Sequence, residues 1–361
     1  MSLEKFLSSV LFYTEKGDPL PVAFEKTKKI HKLKMDYDHV YEISRLLILS
    51  YFAINSKKRS QKVKEFLAKG PKPTLPEWMR NKLSIYMNIQ DLEKSLLTRT
   101  VWFRPNSLKK DPDKILTFLD MQGIKFERDR DFPFLYKLLE GNIRKTEEFR
   151  NFDVIIQDKA SVAVVMSLNP ERKERIIDLS SAPGLKAQLI QELTENSVKL
   201  FLADLDTKRL LKEKYLLRKY GVNMDNIEFN LQDSSYNSFL RSDKILLDAP
   251  CSSSGMISNE PVILLTLKNS EKIYKYSKIQ NDILMSSEKI NADELVYSVC
   301  SIFPEEGEDH FNVLYDIAEK PLNIGYSGYP SKISDRSIRF FPNVHSTEGF
   351  FITKLNLNKL K

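Results

Sequence analysis

A chain of 361 residues is long enough for two or three domains, each with its own buried core. It is 42% hydrophobic and 29% charged, with no biased tract and no internal repeat, so an ordinary globular composition is expected. The longest apolar stretch, residues 46–54, is too short to span a bilayer and is interrupted by Ser50 and Tyr51. The opening MSLEKFLSSVLFYTEK lacks the basic, apolar and small-residue regions of a secretory signal. A cytoplasmic location without a membrane partner is the expectation.

Charge is distributed unevenly. Residues 1–95 hold 18 Lys and Arg against 11 Asp and Glu, whereas the remaining 266 residues hold 38 of each. The whole net charge of +7 therefore sits in the N-terminal quarter. Such asymmetry suggests an anionic partner, most often nucleic acid, with a solvated helical surface as the alternative. Cys251 and Cys300 would permit one disulfide, but cytosolic thiols normally stay reduced. The four histidines, His31, His39, His310 and His345, share no metal-ligand spacing with either cysteine, so no metal is expected.

In chain order, apolar residues first recur at helical spacing in Leu3, Phe6, Leu7, Val10 and Leu11, then in Val40, Ile43, Leu46, Leu47 and Tyr51. Gly70, Pro71, Pro73 and Pro76 then break any helix, placing a boundary near residue 72. A further helical stretch near 79–97 leads into a β-rich run ending at Pro105. Residues 73–150 read as a small α+β module. From residue 151 short apolar runs alternate with helical segments: ERIIDLS, VKLFLADLD, NIEFNLQDSS, KILLDAPCSSSG and ELVYSVCSI. That alternation predicts a parallel, doubly wound sheet, and RFFPNV and GFFITKLNL add an antiparallel hairpin at one edge.

Ligands of open α/β sheets lie beyond the carboxyl ends of the strands. Those ends carry Asp178, Asp204, Asp233 and Asp248. One acid could be a helix cap. Four in succession favour a ligand rich in hydroxyls and amines, with Asp204 facing a ribose diol and Asp233 an adenine amino group. The first turn, SAPGLK, contains only Gly184 and lacks the glycine fingerprint that cradles a pyrophosphate. A cofactor without phosphates, S-adenosylmethionine, fits better. Lys186 is placed to pair with an acid of the rim. Both cysteines fall just beyond predicted strands, beside that rim, where a thiol can act as a nucleophile.

The series DLSSAPGLK, ADLDTKR, QDSS, LLDAPCSSSG and LVYSVCSIFPEEGEDH resembles, in order and spacing, the Sun/Nop/Nol (RsmB-like) family of RNA cytosine-5 methyltransferases. IIQDKASVAVVMSLNP, FRPNSLK and RFFPNVHSTEGFFITKL are similar to further family segments, so the likeness covers about residues 75–356. It implies a Rossmann-like class I methyltransferase sheet over 151–361, an RNA-binding module over 73–150 and, more loosely, a NusB-like helical extension over 1–72. It implies a monomeric enzyme that moves a methyl group from S-adenosylmethionine to carbon 5 of a cytosine in structured RNA, ribosomal slightly ahead of transfer RNA. By the same resemblance Cys300 adds to carbon 6, Cys251 helps the adduct decompose, and Asp248 holds the base, with Lys186 beside it. The cofactor contacts implied are Ser180, Ser181, Ala182, Pro183, Gly184, Leu185, Lys186, Asp204, Arg209, Asp233 and Asp248. The sequence departs from the family at Leu185, where a second glycine is usual, and at Val299, where a threonine is usual. Leu185 keeps open an alternative, a cofactor-binding assembly factor with little turnover.

Overall fold

The computed structural model describes residues 2–360. Helices α1 (Leu3–Glu15), α2 (Leu20–Ile30), α3 (Tyr37–Leu49) and α4 (Arg59–Lys69) form the N-terminal region. The first apolar stripe is buried through Phe6, Leu7, Val10 and Leu11 of α1; of the second only Val40 and Leu47 are fully buried, Ile43, Leu46 and Tyr51 are half-buried, and Ile48 and Leu49 of α3 are buried instead. Helix α4 stops at Gly70, whose N–H still donates to Phe66 O and whose φ of 78° then turns the chain out of the helix. The proline run after it does not end the helical region. Helices α5 (Glu77–Leu83) and α6 (Ile89–Ser95) follow, and their Met79, Leu83 and Leu92 share a core cluster with Leu49.

A four-stranded antiparallel sheet comes next, in the order β2-β3-β1-β4. Its elements are β1 (Trp102–Pro105), α7 (Pro112–Met121), β2 (Lys125–Arg128), β3 (Tyr136–Glu140), α8 (Glu147–Arg150) and β4 (Val154–Ile156). Its last strand thus lies past residue 150, paired with β1 from Phe103 to Pro105.

After α9 (Lys159–Leu168), the main sheet is built from β5 (Arg175–Asp178), α10 (Leu185–Leu193), β6 (Lys199–Asp204), α11 (Thr207–Lys219) and β7 (Ile227–Leu231). It continues with β8 (Lys244–Asp248), α12 (Val262–Thr266), α13 (Glu271–Ser287) and β9 (Glu294–Val299). Strands β7-β6-β5-β8-β9 run parallel in that spatial order. The chain closes with β10 (Ala318–Glu319), β11 (Tyr326–Ser327), β12 (Ser337–Phe340), α14 (Pro342–His345) and β13 (Phe350–Asn356). The expected hairpin is β12 and β13, and β13 lies antiparallel against β9. The strand order reverses at β5, so the crevice of this Rossmann-like sheet opens between the tips of β5 and β8.

The regions are packed together, not strung apart. Trp78 stacks on Phe303 with ring centroids 5.5 Å apart, and its indole N–H donates to Leu267 O. The fully buried Arg45 donates to Leu96 O, Leu97 O and Ser258 O, joining α3 to the loop after β8. No helix among the described residues is long and apolar enough to cross a membrane.

Candidate active site

Strand β5 ends on Asp178 because an apolar run, Ile176 and Ile177, carries the chain through the core to the crevice. The turn that follows, Ser180 to Pro183, delivers Gly184 as the N-cap of α10 at φ 95°. Only glycine suits that position: a Cβ there would lie in the left-handed region and 2.8 Å from Glu213 Cγ. The turn is fastened to α11, as Ser181 Oγ donates to Glu213 Oε2 at 2.8 Å and Arg209 Nη2 donates to Ala182 O at 2.6 Å.

On the other side of the crevice, parallel register sets Asp248 beside Ser298. Ser298 Oγ donates to Asp248 Oδ1 at 2.6 Å, and Lys186 Nζ from α10 lies 2.6 Å from Asp248 Oδ2. Both carboxylate oxygens are therefore held by donors, one from each flank.

A cavity of about 400 Å³ occupies this place. Ser180, Ser181, Ala182, Pro183, Leu185, Lys186, Asp248 and Cys300 all line it, together with Asp178. Gly184 and Cys251 are not among the residues that line it. The Cys251 and Cys300 sulfurs are 3.0 Å apart, so the thiol that lines the cavity is hydrogen-bonded to one that does not. The hydrogen bond to Cys300, then burial, push the Cys251 thiol well above the ordinary cysteine range, so it keeps its proton at neutral pH.

The other acids of the rim lie off the cavity. Asp204 is 4% exposed; its Oδ1 accepts from Asp206 N, whereas Oδ2 accepts no hydrogen bond and has the Arg209 guanidinium 3.3 Å away. A buried acceptor without a donor is what a ligand hydroxyl satisfies. Asp233, by contrast, is exposed and caps a short turn by accepting from Ser235 N and Ser235 Oγ.

Burial dominates the electrostatics. It pushes the Asp178 carboxyl up to about 7, with Asp248 and Asp204 adding to the effect, and pushes Glu213 up to about 8. Burial pulls the Lys186 ammonium down, but Asp248 beside it more than compensates and leaves it above the usual lysine value. Lys186 is thus a firm cation against Asp248.

Several residues of the site, on the cavity wall or bonded to it, carry no signal in the sequence. Ser298 is a small polar residue inside an apolar strand, and its neighbour Val299 is fully buried and faces away into the core. Asp158 and Glu348 line the cavity from the ends of the QDKAS and STEGFF segments. Asp158 caps α9 through Ala160 N and accepts from Glu348 N. Burial, then the Asp158 charge, push Glu348 up to about 8. Arg99 and Arg144 close the cavity on the side of the small sheet. Among the described residues no group of three or more His, Cys, Asp or Glu could hold a metal ion.

Known proteins resemble the chain in sequence and fold. A family model described as the 16S rRNA methyltransferase RsmB/F matches residues 165–356. The 26S rRNA (cytosine-C(5))-methyltransferase nsun-1 of Caenorhabditis elegans is 29% identical over 292 residues, covering 74% of this chain and 43% of that protein. The probable ribosomal RNA small subunit methyltransferase B of Bacillus subtilis (strain 168) is 28% identical over 297 residues, covering 78% of this chain and 66% of the relative. The chain thus spans less than two thirds of these relatives' length. The crystal structure of PH0851 superposes with a TM-score of 0.84 at 21% identity over 99% of both chains, a likeness of fold.

Proposed function

Because the chain belongs to the RsmB/F methyltransferase family, we propose that it methylates carbon 5 of a cytosine in structured RNA, with ribosomal RNA the favoured substrate. S-adenosylmethionine, when bound, supplies the methyl group as an electrophile on a sulfonium. The turn Ser180 to Lys186 and the undonated Asp204 Oδ2 suit its amino-acid and ribose parts, and the absence of a pyrophosphate-binding glycine turn suits a cofactor without phosphates.

The observation that carries the reading is the position of Cys300: of the two cysteines it is the one that lines the cavity shared by Asp178, Lys186 and Asp248. Cytosine carbon 5 is a poor nucleophile. Addition of the Cys300 thiolate to carbon 6 forms a C–S bond and moves the electron pair to carbon 5, which would then bond to the methyl group as the methyl–sulfonium bond breaks and leaves a neutral thioether. Asp248, pinned by Ser298 and Lys186, retains lone pairs to hold a protonated ring nitrogen 3, so that the ring accepts the electrons. Loss of the carbon 5 proton returns that pair to the ring and expels the Cys300 sulfur. The protonated Cys251, 3.0 Å away, meets the departing thiolate with a hydrogen bond. The target base enters such a cavity only from single-stranded RNA or after flipping out of a helix. Arg99 and Arg144, two cations on the cavity wall, are suited to take the phosphates beside it.

Incubating the protein with methyl-labelled S-adenosylmethionine and separated ribosomal and transfer RNA, then analysing nucleosides, tests the proposal. Label in 5-methylcytidine of ribosomal RNA is expected. Label in methyladenosine overturns the reaction class, and no label at all favours a binding factor, with Leu185 at the cavity wall as its cause.

A further inference from the structure

Glu306 is fully buried and lies outside the cavity. Its carboxylate is nonetheless the meeting point of the two loops that carry the cysteines. Ser252, the residue after Cys251, donates its Oγ to Glu306 Oε2 at 2.5 Å; Ser301, the residue after Cys300, donates its Oγ to the same oxygen at 2.5 Å. Ser252 N donates to Oε1 at 2.7 Å. Gln280 Nε2 from α13 is shared between Oε1, at 3.3 Å, and Pro250 O, at 2.9 Å. The Glu306 backbone is itself fixed, its carbonyl accepting from Tyr297 Oη at 2.8 Å.

We propose that Glu306 is a positioning residue that sets the separation of the Cys251 and Cys300 sulfurs by clamping the residue that follows each of them. A buried carboxylate is poor economy for stability alone, since apolar side chains of similar volume usually serve as well. What the carboxylate offers is four acceptor sites in one plane. Two take the serine hydroxyls that belong to different loops, and two take a backbone N–H and a side-chain amide. Glutamine has one acceptor oxygen and cannot reproduce the fork. The loops also meet outside the carboxylate: Gly255 N donates to Cys300 O at 2.9 Å, Ile302 N donates to Ser254 Oγ at 3.1 Å, and the Ser254 and Ser301 hydroxyls are hydrogen-bonded at 3.1 Å, but only Glu306 holds the residue after each cysteine at one group. A displacement of about 1 Å between reacting groups is enough to reduce a rate about a hundredfold.

The consequence for turnover rests on the proposed cysteine chemistry, but the spacing itself is measurable without RNA. The test compares the full chain with Glu306→Gln and with the double variant Ser252→Ala, Ser301→Ala, which keeps the charge and removes only two hydroxyls. Diamide oxidises the Cys251 and Cys300 thiols to a disulfide, taking two electrons and two protons as it is reduced to the hydrazine. Both variants are expected to form that disulfide at least tenfold more slowly than the parent. The Glu306 charge raises the Cys251 thiol pKa, so its loss alone would speed thiolate chemistry; slowing in Glu306→Gln therefore reports geometry. In methyl transfer, kcat is expected to fall with KM for RNA unchanged. Disulfide formation within twofold of the parent in both variants overturns the proposal. Slowed disulfide formation alongside a parent that makes no 5-methylcytidine would retain the clamp and overturn the function.

Discussion

Asp178, Glu213 and Glu348 carry carboxyls that burial raises to about 7, 8 and 8. In the unfolded chain each returns to an ordinary carboxyl value near 4. Groups whose folded pKa is raised contribute stability that is fully present below the unfolded value and is lost as pH rises through the folded one. The ligand-free protein is therefore expected to lose stability, and Tm, steadily between about pH 5 and pH 8. Glu213→Gln keeps an acceptor for Ser181 Oγ and has no charge to bury. It should flatten that slope and raise stability at pH 8 by on the order of 2 kcal/mol. Thermal melts across this range check it; a slope identical to that of the parent would show that Glu213 does not titrate there. The same residues show the limit of sequence at this scale. Cys300, Lys186 and Asp248 were legible because chemistry-bearing types recur at strand ends. Ser298 and Glu306 were not, since their partners, Asp248 and the two serines, lie five to 54 positions away and meet only through sheet register and loop packing.

At the scale of elements, β5, β6, β8 and β9 were legible because a strand buried on both faces reads as a largely apolar run, whereas the edge strand β7, with no fully buried residue, was legible from its alternating pattern IEFNL. Each ends near the acid or cysteine expected of it: β5 at Asp178, β6 at Asp204, β8 at Asp248, and β9 at Val299 just before Cys300. Other elements depended on contacts that no local pattern reveals. Helices α5 and α6 follow a proline run that looks like a domain boundary, yet Leu75 from that run is buried in the cluster holding Met79 and Leu83. Strand β4 is only Val154–Ile156, too short to signal its pairing, and it joins the small sheet through β1. The rim acids diverge for a similar reason. Asp233 follows β7, at the far end of the parallel set from the crevice, and its carboxylate is used by the local turn.

Across the whole molecule, the surplus positive charge lies on helices that are structurally part of the catalytic body. Leu49, Met79 and Leu83 share a core with Ile257, Leu264, Ile302 and Phe303, so deleting the N-terminal helices would expose the support of the cysteine loops. The role of the charge is better tested at its surface. Lys29, Lys32 and Lys34 are exposed and cluster around the end of α2. If this surface meets RNA phosphates, changing all three to glutamate should weaken RNA binding and shallow the slope of log affinity against log salt, by about 0.7 to 0.9 for each phosphate no longer neutralised. A titration with an unchanged slope would assign the lysines to solvation alone.

In the proposed reaction Cys300 bonds to the base and Cys251 assists its release. The most direct measurement is a denaturing gel of the Cys251→Ala and Cys300→Ala variants after incubation with RNA and S-adenosylmethionine. A slow-migrating protein–RNA band should accumulate with Cys251→Ala and be absent with Cys300→Ala. A band from Cys300→Ala and none from Cys251→Ala would contradict the assignment.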